Sequence, residues 1–266
     1  MKVHSFLVPD MEAFDDECLV TSVHCTPELL LGIRTTFLLY SVAVFVASLI
    51  ISNDQSYGFI SNWTHFSVTL FLLVAVFNSY TYIANDENLS LMKERHHAVR
   101  YVIWIMYSIP ASFSLIVSIV FFSTMQSQPA QVGALSQWVL ISLNSTPSLV
   151  MLAELLLGRT PIVLVHILPF LLYGVSYIGV MFIYHSAEHG HPWPYALLDP
   201  NASYAWVVYS GTVLGFLAVF FAVAGVHTFR DRRRMRLGMM PIQTNFGMGR
   251  PSAGGEKDSD LTTVIV

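Results

Sequence analysis

The chain has 266 residues, of which 54% are hydrophobic and only 11% charged, with a net charge of −4. Its mean hydropathy is +0.58. Soluble domains carry about 25% charged residues, so a soluble globular fold is excluded and a nucleic-acid partner is not expected.

Six stretches are long enough to cross a hydrocarbon core, which takes roughly 20 apolar residues. They lie near 33–52, 64–84, 101–124, 134–157, 161–185 and 204–228. The expected fold is all-α: a polytopic membrane bundle of six transmembrane helices, in an integral membrane protein of the plasma membrane or endomembranes. Its parts are a short acidic N-terminal segment (1–32), the transmembrane domain (33–229) and a basic, then disordered tail (230–266).

The N-terminal segment has no apolar core and carries Asp10, Glu12, Asp15, Asp16, Glu17 and Glu28, so it is no cleavable signal peptide. In "TPELLL", Thr26 is placed to cap a helix with Pro27 in its first turn. The thirteen Lys and Arg fall in four places. Lys2 and Arg34 stand before or at the start of span one, Lys93, Arg95 and Arg100 between spans two and three, Arg159 between four and five, and the rest after span six. Short loops rich in Lys and Arg stay in the cytoplasm, which puts both termini there. Cys18 and Cys25 then lie on the reducing side, where no disulfide is expected.

Span two carries a polar stripe. Ser67 and Asn78 are eleven residues apart and share a helix face, which Thr81 and Asn85 continue. Such groups either hydrogen-bond neighbouring helices or line a polar cavity. Span four is stranger, with Asn144, Ser145, Thr146, Pro147, Ser148 and Glu154 in one apolar run. Pro147 removes a backbone donor and frees the carbonyl near residue 143, and the polar cluster can re-satisfy it. Glu154 is expected near the interface, within reach of Arg159. Trp63 and Trp138 read as interface anchors; Ser67 lies about 6 Å and Asn144 about 9 Å deeper than these. Small residues make no strong dimer motif.

Span five holds His166 and ends in "HSAEHGH", with His185, Glu188, His189 and His191. The spacing permits a metal site, but a polar loop explains it as well, and neither a metal nor a cofactor is assigned. After span six, "RDRRRMR" is a stop-transfer signal, and Arg230, Arg232, Arg233, Arg234 and Arg236 also offer contacts to anionic lipid heads.

Several of these features together resemble the superfamily of androgen-induced-gene and rolling-stone proteins. They are Tyr57-Gly58 before Trp63; Asn144 between Trp138 and Glu154 in "LAELLL"; "PIVLVHILPFLLYGVSY" with Pro161, His166, Pro169, Gly174 and Tyr177; and His185 followed by "WPYALLD". The likeness covers most of 57–228 and implies six spans. Some members of the androgen-induced branch are intramembrane threonine hydrolases of fatty-acid esters. The family's Thr falls on Ser67, with Thr69 as a neighbour. The family's His falls on Asn144, whose amide takes up no proton at neutral pH. The chain is closer to the rolling-stone branch, which has no settled activity. His65 lies about 200° round the helix from Ser67, so His185 is the candidate replacement base. The leading expectation is a lipid-binding or interaction protein without established catalysis. The alternatives are an ester hydrolase using Ser67 and His185, and a small-solute transporter or channel.

Overall fold

A computed structural model describes residues 17–52, 60–85, 96–124, 133–187 and 199–237. The described residues are almost wholly helical, with no strand among them. A single turn, α1 (Glu17–Val20), precedes six long helices: α2 (Pro27–Ser52), α3 (Ile60–Ala84), α4 (His97–Thr124), α5 (Ala134–Leu157), α6 (Ile167–Ala187) and α7 (Ala205–Arg236). A 3₁₀ turn, Leu164–His166, leads into α6. All six are long and apolar enough to cross a membrane, and the chain is a multi-pass integral membrane protein.

The capping expected at Thr26 is present: its hydroxyl accepts from the Leu29 amide at 3.4 Å. α2 therefore begins at Pro27, and Arg34 sits two turns inside it rather than at its mouth. α7 runs unbroken to Arg236, past the expected boundary at 229. The tail beyond 237, the Tyr57-Gly58 and "WPYALLD" motifs, and Glu188, His189 and His191 lie outside the described residues.

Helices α2 to α5 pack in a ring, each on the next and α5 back on α2, with α3 also touching α5 across the centre. α6 and α7 lean on the outer side of α4. Lipid tails are as apolar as leucine, so burial alone does not join helices in a bilayer; tight packing and hydrogen bonds do. Phe113 of α4, Phe170 of α6, and Phe216 and Phe220 of α7 supply the first. Phe113 meets Phe170 at 4.7 Å and Phe216 at 5.3 Å between ring centroids, in the tilted and edge-on arrangements that aromatic quadrupoles favour.

Serines supply the second. Ser118 of α4 donates to the Asn144 carbonyl of α5. Ser118 and Ser148 hydroxyls lie 2.7 Å apart, and Ser148 donates to the Ser114 carbonyl at 2.7 Å. This ladder ties α5 to α4 on either side of Pro147, and α5 runs on as one helix through it. The carbonyl freed by Pro147, that of Leu143, approaches the His65 ring of α3, though Nδ1 of that ring makes no bond of hydrogen-bond geometry.

On α7 the small residues missed as a motif share one face. Gly211, Gly215, Ala218, Ala222 and Gly225 are all exposed. A methyl group added at any of these three glycines meets nothing within 4 Å.

Candidate functional site

The densest polar structure gathers at one end of the bundle, where Arg34, Glu154, Arg159, Arg230 and Arg234 meet. Glu154 does not reach Arg159. It pairs with Arg34 of α2, Nε to Oε1 at 2.7 Å and Nη2 to Oε2 at 2.8 Å, both side chains buried. The expectation fails because a one-turn neighbour in sequence is a poorer partner than a planar guanidinium facing both carboxylate oxygens. Arg34 spends its remaining nitrogen on the Leu19 carbonyl and the Ser79 hydroxyl, each at 2.8 Å. Arg159 turns to Thr21 instead, at 2.9 Å.

The helix end carrying Glu154 is closed from outside. Four backbone carbonyls at a helix C-terminus lack internal partners, and α7 reaches back to two of them and to two more just beyond the helix. Arg230 donates to the Leu155 and Thr160 carbonyls, each at 3.1 Å. Arg234 donates to those of Leu156 at 2.6 Å and Gly158 at 2.7 Å. Of the five arginines read as lipid contacts, these two are thus turned into the protein, while Arg232, Arg233 and Arg236 are exposed. Gly158 is needed for close approach: a Cβ there would stand 2.7 Å from the Glu154 carbonyl oxygen and 3.1 Å from its carboxylate. Cys18, Leu19 and Val20 of α1 are buried against this end. Ser22 fastens the same segment by donating to the Leu157 carbonyl at 2.7 Å.

The residues of the inferred hydrolase pattern lie apart from that network. Ser67 is half-buried; its hydroxyl contacts the Trp63 carbonyl and the Tyr173 hydroxyl of α6, each at 2.9 Å. Trp63 packs edge-on against Tyr173 and Tyr177, at 6.2 and 5.9 Å, so it joins α3 to α6 as well as marking depth. Asn144 is buried with its amide donating to its own helix at Leu140, 2.8 Å away. His185 stands in the last turn of α6, twelve residues beyond Tyr173, or about 18 Å along a straight helix. His65 faces the other way, with Nε2 at 2.9 Å from the Ser41 carbonyl of α2 and its ring stacked on Phe45. His166 is buried between Ser108 (Nδ1 to Oγ, 2.6 Å) and the edge of Trp104. Ser67 and Asn144 therefore bond to different neighbours, and His185 stands far along α6 from Tyr173.

The stripe on α3 mostly bonds to α3 itself. Thr69, Asn78, Thr81 and Asn85 all donate to carbonyls one turn back, at 2.7–2.9 Å; Ser67 also reaches another helix. Asn78 differs from the other three in being wholly buried, with its Oδ1 lacking any partner.

Asn78 stands in the wall of an apolar groove of about 700 Å³ between α3 and α4. Leu73 and Phe77 of α3 and Val99, Val102 and Met106 of α4 line it. Leu73, Phe77, Val99 and Val102 are each about half exposed, so the groove opens sideways, away from the bundle. No residue type in this part of the sequence announced it, because its apolar walls read like any span. Among the described residues no group of three His, Cys, Asp or Glu is placed to hold a metal. Comparison with protein-family models, with curated proteins and with solved structures finds no match.

Proposed function

We propose that this six-helix membrane protein is a lipid-binding protein that takes an acyl or other long apolar chain into the groove between α3 and α4, with the basic end of the bundle and both termini on the cytoplasmic side. The observation that carries the reading is the groove: concave, apolar-walled and open to the side on which lipid lies. Ligand sites are concave and largely apolar with few polar groups, and this one is built on two rigid helices.

The test is retention of lipid. Protein washed through detergent exchange should keep a co-purifying lipid, measured by lipid mass spectrometry. Val102→Trp, which fills the groove, should lose it while the protein stays monodisperse. Retention unchanged by Val102→Trp would move the binding site elsewhere. The hydrolase alternative has a separate test. A fluorophosphonate probe should leave Ser67 unlabelled, and labelling abolished by Ser67→Ala would replace the binding reading with an enzymatic one.

A further inference from the structure

Among the described residues Asn78 is the one polar side chain in the lining of the α3–α4 groove. Its amide nitrogen is fixed by donation to the Val74 carbonyl at 2.7 Å, which settles which way the amide faces. Its Oδ1 is left buried and without a partner. An unmet acceptor in an apolar wall costs stability, and it can be met only by a donor arriving from outside the chain or by a shift of the wall. Among the described residues the lining holds no Lys, Arg, Asp or Glu, so within the groove itself a phosphate or a carboxylate head meets no counter-charge. Asn78 is six residues from the end of α3 at Ala84, about 9 Å along the axis. The facing wall begins at Ala98, next to the start of α4. The groove thus lies in the outermost part of the span, where the head of a lipid meets its chains.

We infer that the groove selects an uncharged lipid whose head is a hydroxyl, the hydroxyl donating to Asn78 Oδ1 while the chain lies along Leu73, Phe77, Val102 and Met106. The inference rests on the groove being a lipid site and adds the head group. Fully esterified neutral lipids have no such donor and are disfavoured; phospholipids are disfavoured by charge. Because Asn78 is wholly buried, this donation requires the half-exposed Phe77 and Leu73 side chains to turn aside.

Two photoreactive probes separate the inference from the reading beneath it: a diazirine-bearing hexadecanol and its methyl ether, alike except for the donor. Each is crosslinked to the full-length wild-type protein in phospholipid nanodiscs, and adducts are mapped by peptide mass spectrometry. The alcohol should label peptides containing 73–78 and 99–106 over the ether by the worth of one net hydrogen bond, roughly two- to twelvefold. Asn78→Leu should reduce the alcohol to the level of the ether. Equal labelling of the groove by both probes in wild type overturns the head-group inference and leaves the lipid groove standing. Labelling of the groove by neither overturns both. The wild-type comparison needs no variant, so a misfolded Asn78→Leu protein does not remove the test.

Discussion

Arg34 and Glu154 form a fully paired ion pair in the body of a membrane bundle, with Leu19 and Ser79 meeting the spare guanidinium nitrogen. Removing one partner of a buried pair leaves the other charge uncompensated, which costs about 3–5 kcal/mol. Glu154→Leu is therefore expected to destabilise the protein by about that much in detergent unfolding, and Arg34→Met together with Glu154→Leu to recover most of the loss. A single variant as stable as wild type would show the pair to be unimportant. Ser118 is expected to matter far less, because hydrogen bonds between membrane helices average about 0.6 kcal/mol; Ser118→Ala should lower stability by about that amount in the same assay. Asn144→His is expected to create no ester hydrolysis, since the side chain at 144 turns back on its own helix at Leu140 while the Ser67 hydroxyl is engaged with Tyr173. Ester cleavage gained by that variant would show that the two positions share a site after all.

Among the elements, α7 does more than anchor the chain. Its last turns cap α5 through Arg230 and Arg234, whereas Arg232 and Arg233 point away. A cation at a helix C-terminus contributes about 0.3–1 kcal/mol when exposed and up to about 2 kcal/mol when partly buried. Arg234→Ala should accordingly lower stability by about 1–2 kcal/mol, and the paired variant Arg232→Ala, Arg233→Ala by almost nothing; equal effects would contradict the capping role. This division was not legible in the sequence, where five arginines in seven positions look alike and only the helix phase against α5 separates them. The same holds for Glu154. Its nearest cation in sequence is Arg159, but its partner lies 120 residues away, and that choice is made by the order in which helices close the ring. The spans and the Thr26 cap were legible because each is set by local composition or local geometry. Trp63 was read for depth alone, since a tryptophan at a membrane edge and one wedged between two helices carry the same local signal.

For the whole molecule, the proposed topology, drawn from charge placement and the even number of spans, has both ends of the chain on the cytoplasmic side. Epitope tags at both termini should be shielded from external protease in intact cells and cleaved after permeabilisation; cleavage of either from outside would reverse the orientation. The basic end would then face the cytoplasm, and the α3–α4 groove, close to Arg100 in the first turn of α4, would open into the cytoplasmic leaflet. The most direct measurement is to map where a membrane-dissolved photoreactive fatty-chain probe attaches to the intact protein. Adducts should concentrate at Leu73, Phe77, Val102 and Met106, and be strongly reduced there by Val102→Trp. Exposed apolar residues elsewhere, such as Leu214 and Phe221 of α7, should be labelled only at the background level of any surface in lipid. Labelling spread evenly over all lipid-facing helices, and unchanged by Val102→Trp, would contradict the lipid groove.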